Sequence, residues 1–157
     1  MIGPLLLNLF ASTTDTEVLW FVSLREVDAQ GKEKVLTRGW LRGSHRELDP
    51  DRSKRWQPHH PHTRSEPLTP GKIYEFAIPV VATANLFKAG SRIKLKIACC
   101  DDQPENSLEA IAAGHIRRQS GSRITVYHND ECPSHLLLPV TSGNIIGTFV
   151  SGGHPYF

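Results

Sequence analysis

Sulfur is scarce in this chain, with three cysteines and one methionine in 157 residues. Cys99 and Cys100 are adjacent and Cys132 lies far from both. An odd, lopsided set of this kind makes no disulfide framework, and without a C-x-x-C it has no zinc spacing. A bridge from one of the adjacent pair to Cys132 stays open, but the usage fits a reducing compartment and a cytoplasmic protein. No run approaches the roughly 18 apolar residues of a membrane span. The opening MIGPLLLNLF lacks the basic start of a secretory leader and reads as a strand. A formal net charge of +2 is too small to imply a nucleic acid or another polyanion as partner.

Helix signals are also sparse. The one fair stretch is Ser107 to Ala113 (SLEAIAA), stopped by Gly114. Strong catalytic strings are missing: no G-x-S-x-G elbow, no H-E-x-x-H, no G-x-x-x-x-G-K-[ST] and no G-x-G-x-x-G. A catalytic triad assembled from distant positions is defined by geometry rather than order, so spacing alone assigns none.

Strand signals fill the rest. Val18 to Leu24 is apolar on both alternating faces, as in a strand covered on both sides. Val35 to Leu41 follows a turn-like AQGKEK, so these two stretches read as a hairpin. Leu5 to Phe10 is an apolar run, and Ile73 to Val80 puts Tyr74, Phe76, Ile78 and Val80 on one face. Arg92 to Ile97 alternates, with Ile93, Leu95 and Ile97 expected inward and Arg92, Lys94 and Lys96 outward. Ile124 to Tyr127 and His135 to Val140 complete about seven strands. Many strands with little helix indicate an all-β antiparallel sandwich or barrel in a single domain.

The long irregular stretches are Arg46 to Gly71 and Cys100 to Ser122, and loops of that length are often functional. The first holds WQPHHPH, with His59, His60 and His62 between prolines. Histidine is the commonest metal ligand, and on an extended segment His60 and His62 would face the same way. A site there would need a third donor, such as His45 or an aspartate, and a packed surface loop is the simpler reading. Asp101 and Asp102 read as a solvated turn after the Arg92 strand. Trp20 and Trp40 lie within strands and are expected in the core, which leaves Trp56 as the loop tryptophan able to stack on a ligand.

Four strings in order resemble a known pattern: REVDAQGKEKVLTRGWLR (Arg25 to Arg42), LTPGKIYEFAI (Leu68 to Ile78), ANLFKAGSRIKLKIA (Ala84 to Ala98) and VYHNDECPSHLLLPV (Val126 to Val140). Together they resemble the C-terminal jelly-roll domain of the X-Pro dipeptidyl-peptidase and cocaine esterase-like (acyl esterase) serine hydrolases, most strongly over residues 2 to 140. The pattern departs at Gly90-Ser91-Arg92-Ile93, where the family has G-H-R-I, and at Ala98 to Asp102. The resemblance implies a jelly-roll β-sandwich similar to galactose-binding domains. It also implies an accessory domain that packs against an α/β-hydrolase domain and shapes its substrate entrance, in a parent that hydrolyses peptide or ester bonds. The catalytic α/β-hydrolase domain is absent from these 157 residues, so no catalytic residue, metal or cofactor carries over. Since Ile2 lands inside the family's domain, a first strand is expected to be missing, with exposed sheet edges open to a homo-oligomer. The alternative is a free-standing carbohydrate- or ligand-binding module.

Overall fold

The computed structural model describes residues 1–99 and 121–141. The expected helix at Ser107 to Ala113, Asp101 and Asp102 lie outside them. Among the described residues seven strands run in chain order: β1 (Ile2–Thr13), β2 (Leu19–Val27), β3 (Glu33–Arg42), β4 (Tyr74–Ala84), β5 (Arg92–Ala98), β6 (Ile124–Tyr127) and β7 (His135–Leu137). A 3-10 turn, Gly43–His45, follows β3. All pairings are antiparallel, in the order β5-β2-β3-β4-β1-β6, with β7 also on β1. The architecture is the expected all-β one, a curled antiparallel sheet.

The joint in that curl is narrow. β2 and β3 pair along their lengths, and so do β1 and β4. β3 and β4, by contrast, share the single register pair Gly39↔Val80. The strands therefore form two layers, β5-β2-β3 and β4-β1-β6/β7, that fold face to face about this pair. Trp20, Val22, Leu24 and Leu41 from the first layer pack with Leu5, Leu7, Leu9, Phe76, Ile78 and Val80 from the second in one buried cluster. Each set occupies alternate positions, as the period of two requires.

Turn chemistry fixes the connections. Between β2 and β3 the Asp28 carboxylate accepts the amides of Gln30 at 3.0 Å and Lys32 at 2.8 Å, and Gly31 takes the left-handed φ of 84°. Gly71, at φ 79°, follows Pro70 and turns the chain into β4. Ser134 fills the break between the last two strands. Its Oγ accepts the Phe10 amide at 2.9 Å and donates to the Tyr127 carbonyl at 2.6 Å.

Three expectations need correction. Trp40 is 54% exposed, because the inward positions of β3 are Thr37, Gly39 and Leu41. Ile93 is 48% exposed. It has the inward parity of Leu95 and Ile97 but lies opposite Glu26, where the sheet runs out toward the hairpin turn. β1 is an inner strand with neighbours on both sides, so among the described strands the open edges belong to β5 on one side and to β6 and β7 on the other. Cys132 is a free thiol.

Candidate functional site

The irregular segment between β3 and β4 carries most of the residues singled out in the sequence. It is tied down along its length. Arg46 donates to the Gly43 carbonyl at 3.2 Å and the Glu66 carbonyl at 2.7 Å, and its guanidinium lies 4.5 Å from the centre of the Tyr74 ring. The Tyr74 hydroxyl accepts the Thr69 amide at 3.0 Å. That bonding, with Lys72 and Arg46 nearby, holds the hydroxyl below the ordinary tyrosine value. Glu47 and Arg64 form a two-point ion pair. The pairing lowers the carboxyl and raises the guanidinium from their ordinary values. Asp49 accepts the amides of Asp51 and Arg52 at 3.0 and 3.1 Å, which coils the segment into a compact turn.

The histidines separate within this frame. The backbone of His59 is anchored: its amide donates to Ser53 Oγ at 2.9 Å and its carbonyl accepts the Asp49 amide at 2.9 Å. The ring of His60 is buried, with Nδ1 2.9 Å from the Glu47 carbonyl and Nε2 2.8 Å from the Ala77 carbonyl. His62 takes a left-handed φ of 53°, and its Nδ1 lies 3.2 Å from Nδ1 of His45. Sequence period put His60 and His62 on one side as co-ligands; the left-handed turn instead sends His62 to His45. Both nitrogens of His60 are committed to backbone carbonyls. Among the described residues no group of three or more His, Cys, Asp or Glu side chains converges as metal ligands would. Trp56 sits at the tip, between Lys54 and Gln57, whose amides and carbonyls bond reciprocally at 2.9 and 3.0 Å; it is 38% exposed.

His135 Nδ1 donates to the Pro133 carbonyl at 2.7 Å, and its Nε2 lies 3.3 Å from the Asn8 amide nitrogen. Among the described residues, histidine ring nitrogens thus bond to carbonyls, to Asn8 and to each other. None meets a serine hydroxyl as a nucleophile–base pair would.

Sequence reasoning missed Glu17. Its Oε1 accepts the amides of Val18 at 3.0 Å and Ser44 at 2.9 Å, and its Oε2 accepts Arg42 Nε at 2.8 Å. One carboxylate so ties the entrance of β2 to the exit of β3. Burial works to raise its carboxyl, but the bonds from Ser44, Arg42 and Val18 outweigh that and the net shift is downward. A depressed carboxyl stabilises the fold above its unfolded titration, and that contribution is lost as pH falls through the folded value. Glu17→Gln is expected to cost about 1 kcal/mol at neutral pH, discounted for partial exposure. Urea melts at neutral and acid pH should also show a smaller acid loss in the variant. An unchanged pH dependence would remove Glu17 from this role.

Residues 1–137 match the family model described as the X-Pro dipeptidyl-peptidase C-terminal non-catalytic domain. A Mycobacterium bovis protein bearing a serine esterase name is 32% identical over 103 residues, which cover 63% of this chain and 16% of that protein. The cocaine esterase of a Rhodococcus species is 26% identical over 144 residues, covering 88% of this chain and 22% of the esterase. A crystal structure of a CocE/NonD family hydrolase from Staphylococcus aureus superposes with a TM-score of 0.76 over 87% of this chain and 27% of that one. At 24% sequence identity, that likeness speaks to the fold. The chain therefore spans between about a sixth and about a quarter of the length of these relatives.

Proposed function

The chain belongs to the family of X-Pro dipeptidyl-peptidase C-terminal non-catalytic domains, and we propose that it is the accessory β-sandwich of a serine hydrolase of the X-Pro peptidase or acyl esterase type. In this reading it packs against an α/β-hydrolase domain and shapes the entrance to that domain's substrate site. The parent activity is hydrolysis of peptide or ester bonds, and the chain alone performs none. The match over residues 1–137 is the observation that carries the reading.

The outer face offers physical support. Trp40 and Val81 each follow a member of the inward Gly39↔Val80 pair, so a period of two points both outward. They are 54% and 57% exposed. Two large apolar side chains exposed on the same sheet face, diagonal to each other across the pair, suit burial by another domain. The same exposure is compatible with a ligand-binding module, in which Trp56 would be the first aromatic to test.

The chain alone is expected to release no nitrophenol from p-nitrophenyl esters and no nitroaniline from X-Pro-p-nitroanilides, above a buffer control. Turnover that a single serine substitution abolishes would overturn the accessory reading.

A further inference from the structure

Burial falls away at one edge of the sheet. On β2, Val22 is 2% exposed and Leu24 is 1% exposed. Directly opposite them on β5, Ile97 and Leu95 share the inward parity but are only partly buried, and Ile93 is 48% exposed. Among the described strands β5 has β2 on one side and none on the other. Backbone groups of an antiparallel strand point alternately to its two sides, so every second amide and carbonyl of β5 faces away from β2. The first layer therefore ends where its apolar side chains are still half covered.

The other parity of β5 is basic. Arg92, Lys94 and Lys96 share its outer face, and Arg25 of β2 stands opposite Lys94. The Glu33 carboxylate engages both Lys94 and Arg25, so these four cations stand beside that one carboxylate.

This charge decides which strand fits the edge. Consider a second copy of β5 laid antiparallel, so that the two inner faces form one continuous surface. Residues of one parity then pair only with that parity, and Arg92, Lys94 and Lys96 meet their own counterparts. Like charges directly opposite destabilise such a pair, and lysines on an open edge guard against self-association. A strand with carboxylates at those positions meets the opposite sign instead. Its apolar parity would cover Ile93, Leu95 and Ile97.

We propose that the open edge of β5 takes an extended segment of a partner polypeptide, apolar at one parity and acidic at the other, as an added strand. Main-chain hydrogen bonds hold such a strand, and its alternate side chains give selectivity. The inference rests on the edge of this sheet and does not depend on the hydrolase reading.

The probe is a capped decapeptide of alternating valine and glutamate, added to the 15N-labelled chain and followed by amide hydrogen exchange. In the chain alone, every second β5 amide is expected to exchange fast. With the peptide these amides should slow on the order of tenfold or more. Amides of β2, held between β5 and β3, should not change. The same peptide with lysine in place of glutamate should leave β5 exchange as it was, and added salt should weaken the glutamate peptide. Combining Arg92→Glu with Lys96→Glu should weaken the glutamate peptide about tenfold and let the lysine peptide protect β5. Equal protection by both peptides on the parent chain would overturn the proposal, as would no protection at millimolar glutamate peptide. So would β5 amides already slow in the chain alone, since a second copy or another part of the chain would then occupy the edge. Should the double variant fail to fold, the two peptides on the parent chain still decide.

Discussion

Trp20→Ala is expected to remove about 4 kcal/mol of stability, the range found when a large buried aromatic is truncated. That is a large part of the roughly 5–15 kcal/mol that holds a domain together. Trp20 is 2% exposed on β2, and its ring meets Phe76 of β4 edge to face at a centroid distance of 5.3 Å. Those two strands belong to different layers, so the pair spans the sandwich where β3 and β4 have little ladder in common. Truncation leaves a void between layers that cannot close without moving a strand. Trp20→Phe separates ring packing from the indole. The indole N–H finds no acceptor among the described residues, so its removal forfeits no such bond there, and the expected cost is about 1 kcal/mol. Urea denaturation followed by circular dichroism measures both variants, and a loss for Trp20→Ala below that for Trp20→Phe would contradict the packing described.

The two tryptophans show how far the sequence could be read. Trp20 and Trp40 both sit in apolar strands, and propensity treats them alike. On β2 the apolar residues of one parity, Trp20, Val22 and Leu24, are all buried. On β3 the sequence VLTRGWL is apolar at both parities, and the inward one contains Thr37 and Gly39. Only the pairing with β2 and β4 decides which side is inside. Strand existence was legible because period two is local, and turns were legible because Asp28, Gly31 and Gly71 act within a few residues. The loop was not. His60 meets a carbonyl 17 residues away, Arg46 reaches Glu66, and Glu17 bonds the amide of Ser44 27 residues on. Residue type raised metal binding only beside the simpler reading of a packed loop, and it is two backbone carbonyls that meet the His60 ring. The family strings were informative for a related reason, since they gather the local turn residues in a fixed order.

Gly39→Ala is the second large effect, and it comes from the smallest side chain. The position has no left-handed φ, so its glycine answers to space rather than to backbone freedom. A methyl group there would stand 2.3 Å from the Pro79 carbonyl oxygen and 2.9 Å from Val80 Cα. These are backbone atoms, and no rotamer change relieves them. β3 and β4 would have to separate at the register pair that joins the two layers. The expected cost is about 3 kcal/mol, the upper end for overpacking. Two other glycines calibrate it. At Gly43 the added methyl meets Val18 Cγ1 at 2.7 Å and its nearest backbone atom, the Val18 carbonyl oxygen, only at 3.2 Å, and about 2 kcal/mol is expected. At Gly31 nothing lies within 4 Å, and the left-handed φ of 84° alone sets a cost of about 1 kcal/mol. Thermal melts of the three alanine variants should therefore place Gly39→Ala clearly lowest. The same variant should disturb Trp40 and Val81, the exposed neighbours of the Gly39↔Val80 pair on the outer face. If Gly39→Ala were as stable as the parent, β3 and β4 would not be held this closely, and the joint between the layers would not stand as described.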